Sequence, residues 1–136
     1  MIDPNGRLPD DAALLQDDGT RRIIVQAVDR PRSAGVTVVR LPLRNDVIDP
    51  REIVSALRDE GLSTLLVEGG GITIARFLEA GLLDRLHVGI APLLIGGGPQ
   101  SLTLSKPSEL LAHAIRPEMR VFSLGTDVML DCAMQS

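Results

Sequence analysis

Apolar residues follow two different spacings along this chain, and the change from one to the other marks out the elements. Arg22–Ala27 (RIIVQA) and Val36–Leu41 (VTVVRL) are short β-branched runs bounded by turn residues, which predicts two buried strands. Pro50 then follows Asp49, a helix-start pair, and Ile53, Val54 and Leu57 recur at helical spacing up to about Glu60, with Gly61 as the stop. Leu62–Val67 reads as a third strand. Gly71–Ala80 reads as a second helix with Ile74, Phe77 and Leu78 turned inward and Gly81 at its end. Leu86–Leu94 reads as a long strand interrupted by Pro92. Met119–Leu124 and Val128–Cys132 read as a hairpin around Gly125-Thr126-Asp127.

The remaining segments are shorter. Met1-Ile2-Asp3 reads as the last residues of a strand, and Asp3-Pro4-Asn5-Gly6 supplies turn chemistry after it. Leu8–Leu15 predicts a short helical or irregular turn, broken by Asp17-Asp18-Gly19. Leu102–Ile115 mixes polar and apolar residues without a clear period. The order of elements indicates an α/β sheet, parallel through its middle and antiparallel at its C-terminal end.

The densest chemical signal is LLVEGGGITIARFLEAGLLDRLHVGIAPLLIGGGP, residues 65–99. A run ending in Glu68 passes through Gly69, Gly70 and Gly71 straight into a helix, so bare backbone N–H groups face whatever lies at the helix start. The helix dipole favours negative charge there, which suits a phosphate or pyrophosphate. Glycines can also serve only to allow a tight connection. Thr73, in the first turn, could add a hydroxyl to a phosphate or cap locally. Glu68 could be a solvated carboxylate or an acceptor for ribose or substrate hydroxyls. No Gly-Lys-Ser/Thr follows, so this is not a Walker loop, and no GxGxxG pattern opens a first βαβ unit. Gly96-Gly97-Gly98 reads as a plain loop.

Composition narrows the class. A chain of 136 residues with 44% hydrophobic and 24% charged residues is expected to form one globular domain, spanning 1–136. The net charge of −4 and the near-absence of aromatic residues argue against nucleic acid, which needs a basic face or a stacking platform. No apolar run has membrane-spanning length, and MIDPNGRLPDD lacks signal-peptide character, so a cytoplasmic protein is expected. Cys132 has no cysteine partner and reads as inert. His87 reads as a half-buried surface histidine, and His113 has no metal-ligand company, so no metal site is expected. The pairs Asp10-Asp11 and Asp17-Asp18 read as solvated charge. Arg21, Arg22, Arg30 and Arg32 read mostly as surface charge, with one of them a candidate for a 2′-phosphate.

On these residues the chain resembles the C-terminal reductase domain of bifunctional riboflavin-biosynthesis deaminase–reductases and their stand-alone pyrimidine-reductase relatives. The likeness takes in DPNGRLPDDAALL, RRIIVQA and VFSLGTDVMLDC as well as the glycine-turn segment. It implies a dihydrofolate-reductase-like fold, with a mixed, mainly parallel sheet flanked by helices and a C-terminal antiparallel hairpin. It implies NADPH as cofactor and reduction of the ribosyl group of 5-amino-6-(5-phosphoribosylamino)uracil to ribityl. By the same resemblance, Gly69, Gly70, Gly71, Ile72 and Thr73 hold the pyrophosphate, and Glu68 faces the catalytic cleft. Leu94, Ile95 and Gly97 line the wall near the nicotinamide.

The resemblance also implies a shortfall. Family members begin with a strand ending in an Asp-Gly substrate loop, a helix and an Asp-Asp-Pro-rich loop, and this chain starts beyond them. A partial domain with open sheet edges is expected to pair with a second copy, and a homodimer is the expected assembly. Two alternatives stay open on sequence alone: a dihydrofolate-reductase-like enzyme with a pterin substrate, and a non-catalytic fragment that needs a partner chain.

Overall fold

The computed structural model describes residues 1–98, 100–105 and 114–134. The chain forms two compact units, Met1–Leu65 and Leu66–Ser136, and each is described by itself.

In the first unit β1 (Arg22–Gln26) and β2 (Val36–Arg40) pair in parallel, with Ile24 opposite Val38. Ile24, Val25 and Gln26 are essentially inaccessible to solvent. Met1–Asp3 lies along β1 on a parallel register, as its strand-like sequence predicts. The Val25 amide donates to the Met1 carbonyl at 2.9 Å and the Asp3 amide to the Val25 carbonyl at 2.8 Å. The expected turn follows, closed by the Gly6 amide on the Asp3 carbonyl at 3.0 Å. Helix α1 (Pro50–Asp59) starts as its sequence requires: Asp49 Oδ1 accepts from the Arg51 amide at 2.9 Å, with Pro50 in the first turn. Ile53 is its buried anchor. It ends at Gly61, where the Leu62 amide reaches back to the Leu57 carbonyl at 3.0 Å.

The second unit holds helix α2 (Gly71–Glu79) and a three-stranded antiparallel sheet. Its strands are β3 (Arg85–Ile90), β4 (Glu118–Leu124) and β5 (Asp127–Ala133), in the order β3-β5-β4. Leu124 pairs with Asp127 around a Gly125-Thr126 loop, so the predicted hairpin forms. Because opposite residues share a face, Leu86, Cys132 and Met119 lie on one side of the sheet, and His87, Asp131 and Arg120 on the other. Ala75 and Phe77 are the buried residues of α2, and Ile74 and Leu78 are half-buried.

Four expectations are corrected. The strands form two sheets instead of one continuous sheet. Leu62–Val67 forms no strand, because a strand needs a hydrogen-bonded neighbour and none of the described residues pairs with it. The glycine turn therefore follows an unpaired stretch in which Leu66 is 81% exposed, and not the end of a central strand. β3 stops at Ile90, short of the expected Leu94. Pro92 has no N–H for a ladder, and the Leu93 amide turns back to the Ala91 carbonyl at 2.8 Å. The ill-defined stretch Leu102–Ile115, with His113, lies largely outside the described residues.

The fourth correction concerns the arginines read as surface charge. Arg32 has no exposed side-chain surface. Its guanidinium donates to Asp3 Oδ2 at 2.6 Å, to the Leu8 carbonyl at 2.7 Å and, through Nε, to Gln26 Oε1 at 3.1 Å. Arg22 donates to the Leu15 carbonyl at 2.6 Å and to Asp17 at 3.0 Å. Arg30 meets Asp10 at 3.1 Å, and Arg21 pairs with Glu60. Asp10 and Asp17 are thus partners of these arginines and not merely solvated charge. Asp3 also accepts the amides of Arg7 and Leu8, each at 2.9 Å. Burial pushes the Asp3 carboxyl up, but the Leu8 and Arg7 amides and the Arg32 guanidinium together outweigh it and hold the group below its ordinary value.

This arrangement ties the stability of the first unit to acid. A carboxylate depressed in the folded state stabilises above about pH 4, the unfolded range, and the benefit disappears as pH falls through the folded value. Asp3→Asn is expected to cost about 3 kcal/mol at pH 7 by removing the nearer and more buried of the two carboxylates that neutralise Arg32, Asp10 at 3.3 Å being the other. Urea unfolding across pH should show that gap closing in acid; a gap that stays constant down to about pH 2 would contradict the assignment.

Candidate active site

Apart from the arginines weighed for a 2′-phosphate, which lie in the first unit, the residues singled out in the sequence as cofactor or cleft residues fall in the second unit, between Glu68 and Gly97. Gly70 is the N-cap of α2, with φ −71° and ψ 165°, and no side chain caps the helix. Its carbonyl accepts the Thr73 amide at 2.9 Å and the Ile74 amide at 3.3 Å. The first N–H groups of the helix are left without a side-chain acceptor, so the positive end of the dipole is undressed.

The three glycines of the turn do different work. A Cβ built on Gly69 would touch the Thr73 side chain at 3.3 Å, an adjustable contact. A Cβ built on Gly71 would stand 2.4 Å from the Ser101 carbonyl oxygen and 2.8 Å from its carbon. That is backbone, which cannot step aside, so Gly71 is required by the protein's own packing. A Cβ on Gly70 would meet nothing within 4 Å. Gly70 is therefore the glycine that opens onto free space, directly at the uncapped helix start. Residues that would hold an anionic group fit that opening: an N-cap without a side chain and a first turn without an acidic residue.

Glu68, Gly69 and Gly70 are exposed, Gly71 and Thr73 are half-buried, and Ile72 is 62% exposed. Leu94 and Ile95 are exposed apolar side chains at 105% and 82% of their reference areas. Gly96 and Gly98 have φ of +76° and +144°, so the backbone alone requires glycine there. Gly97 has no such requirement and, like Gly70, faces open space. The contact of Ser101 with Gly71 brings the second glycine cluster toward the first, since Gly98 lies three residues before Ser101 and its Cα is within about 11 Å of that of Ser101. Sequence spacing gave no sign of Ser101 as the neighbour of Gly71, because the contact involves backbone only.

The charged residues of the sheet belong elsewhere. Asp131 is buried, accepts from Arg85 Nη1 at 2.6 Å and lies 3.3 Å from His87 Nε2. The side chain of His87 is 53% exposed, so it is a surface histidine beside a buried carboxylate. A shallow depression of about 220 Å³ nearby is lined by Arg85, Glu118, Met119, Arg120, Asp131 and Ala133, none of them a predicted site residue. Cys132 is a buried thiol in β5. Among the described residues, no group of three or more His, Cys, Asp or Glu side chains could hold a metal ion.

The model of one protein family, the RibD C-terminal domain, matches residues 1–129. The chain belongs to that family. Riboflavin biosynthesis protein RibD of Actinobacillus pleuropneumoniae is 28% identical over 96% of this chain, which spans 37% of that protein. The 2,5-diamino-6-ribosylamino-4(3H)-pyrimidinone 5′-phosphate reductase of Methanothermobacter thermautotrophicus is also 28% identical over 96% of the chain, which spans 63% of it. Among solved structures, the riboflavin biosynthesis reductase Rib7 of Saccharomyces cerevisiae superposes with a TM-score of 0.78 at 18% identity, covering 99% of this chain and 68% of that one. Acinetobacter baumannii RibD gives 0.76 at 22% identity, covering 99% of this chain and 36% of that one. The RibD C-terminal domain chain thus has the dihydrofolate-reductase-like α/β fold that its sequence implies.

The different roles of Gly70 and Gly71 are testable in this RibD-type chain without any ligand. Gly71→Ala is expected to cost about 1–3 kcal/mol, as overpacking does, and to shift the backbone amide signals of Ser101 and Leu102. Gly70→Ala should cost less than about 1 kcal/mol and leave those signals in place. Equal behaviour of the two variants would contradict the packing described here.

Proposed function

We propose that this chain is a partial reductase domain of riboflavin biosynthesis. On this reading it reduces the ribosyl group of 5-amino-6-(5-phosphoribosylamino)uracil to ribityl, and both units make one domain, as a family match running through both supports. The reductase names of its relatives support a nicotinamide cofactor in general, and NADPH is the form proposed. When bound, the cofactor would supply a hydride to C1′ of the ring-opened imine, with the imine nitrogen taking its proton from water.

The observation that carries this reading is the uncapped start of α2 behind Gly70. Gly69, Gly70, Gly71 and Ile72 would present N–H groups, and Thr73 its hydroxyl, to the pyrophosphate. Glu68 stands next to that turn as an exposed carboxylate, suited to accept hydrogen bonds from sugar hydroxyls in the cleft. Leu94, Ile95 and Gly97 would cover an apolar ring face, which gives their exposed surface a partner and excludes water from the reacting carbon. Reduction of this kind depends on orientation more than on a strong base, and the site offers no histidine or cysteine nucleophile among its residues.

A second copy of the chain is the proposed protein partner. Every residue of the edge strand β4 is exposed, including Met119, Val121, Phe122 and Leu124, and such an edge invites pairing. Sedimentation showing only monomer at micromolar concentration would remove this part of the reading. Among the described residues no helix is long and apolar enough to cross a membrane; a cytoplasmic setting without nucleic-acid partners is proposed from the biosynthetic family to which the chain belongs.

Gly70→Asp tests the cofactor reading. Aspartate is a good N-cap, so the variant should be as stable as the parent or more so. Its carboxylate would nevertheless occupy the pyrophosphate position, and calorimetric titration should show NADPH affinity falling about a hundredfold, roughly 2.7 kcal/mol. A stable variant with undiminished NADPH affinity would sink the assignment.

A further inference from the structure

The segment from Gln100 to Ser105 is fastened to α2 at both ends of the helix. At the N-terminal end the Ser101 backbone packs on Gly71 with no room for a side chain between them. At the C-terminal end Glu79 Oε1 accepts two hydrogen bonds from Ser105, from its amide at 2.5 Å and its hydroxyl at 2.8 Å. Gly71 and Glu79 are eight residues apart, about 12 Å along a helix. Ser101 and Ser105 are four residues apart, about 13 Å when extended. The lengths match, and the strap runs alongside the helix from its first residue to its last. Its burial alternates, with Leu102 and Leu104 half-buried between exposed Ser101, Thr103 and Ser105, as in an extended strand.

Glu79 is an odd choice for its position. A carboxylate in the last turn of a helix faces the negative end of the dipole and weakens the helix. The two hydrogen bonds from Ser105 offset that cost, and both are charge-assisted. Their effect reaches beyond the helix, because the strap is continuous with the loop that carries Leu94, Ile95 and Gly97.

We propose that Glu79 is a positioning residue for the cofactor site. By clasping Ser105 it holds the strap against α2 and thereby sets the Leu94–Gly97 loop relative to the glycine turn at the other end of the same helix. This inference rests on the reading of that turn as the NADPH site. Releasing the clasp returns conformational freedom to the loop, and binding must then supply the ordering that the protein supplied before.

The test is NADPH titration of the 136-residue chain and its variants, alongside thermal unfolding. Glu79→Ala is expected to raise the NADPH Kd about tenfold. Glu79→Gln keeps a carbonyl acceptor for Ser105 and should bind within about threefold of the parent. Ser105→Ala should weaken binding mildly, and adding it to Glu79→Ala should cause no further loss, as expected for one shared interaction. A role confined to helix stability would lower the unfolding temperature and leave the Kd of the folded protein unchanged. Parental affinity in Glu79→Ala therefore overturns the proposal. If the parent chain itself fails to bind NADPH, the cofactor reading falls and takes the positioning role with it. Amide exchange at Ser105, which needs no ligand, then shows whether the clasp exists: exchange should quicken in Glu79→Ala, and an unchanged rate denies the clasp as well.

Discussion

The backbone of Ser101 lies so close to the start of α2 that only a glycine fits between them, and the organisation of the second unit follows from that contact. With Gly71 filled by the protein itself, Gly70 becomes the residue that faces outward, and the helix begins without a side-chain cap. The same contact draws the strap after the second glycine cluster along the helix, where Glu79 secures its far end. On the proposed reading, the uncapped helix start meets the anionic part of the ligand, and the exposed side chains of Leu94 and Ile95 meet its apolar ring.

The first unit is organised around a different constraint, a buried guanidinium. Arg32 satisfies its donors on Asp3, Leu8 and Gln26. With a further bond to Asp10 at 3.3 Å, it binds the turn at Asp3–Gly6 to the loop after β1. Such a cluster is costly to form and costlier to break, because each member left alone would be a buried polar group without a partner. It also explains why this arginine, a candidate for a 2′-phosphate by sequence position, is committed to structure instead.

Local signals were legible in the sequence wherever one segment carried its own instructions. Asp49-Pro50 announced α1, Gly61 and Gly81 announced helix ends, and Gly125-Thr126 announced the hairpin. Apolar periodicity found β1, β2 and both helices. It failed for Leu62–Val67, because an apolar run states a preference for burial and not the existence of a neighbour to pair with. It overran β3, because Pro92 ends the ladder although apolar residues continue. The roles of Arg32, Glu79 and Ser101 were hidden for a common reason: each depends on a contact between segments far apart in sequence, and in Ser101 the contacting atoms are backbone. The glycine turn was found as a site candidate, but the division of labour among Gly69, Gly70 and Gly71 required coordinates. Membership of the RibD C-terminal domain family agrees with the resemblance carried by the glycine-turn segment.

The central claim is that the start of α2 behind Gly70 is where this chain meets its cofactor. Titrating the isotopically labelled chain with NADPH and following backbone amide signals tests it most directly. The account predicts that the amides of Gly70, Gly71, Ile72 and Thr73 shift first and furthest, with Gly97 next and the Asp131–His87 face of the sheet unmoved. Saturable binding that leaves the α2 start unperturbed, or that shifts the sheet face instead, would contradict it.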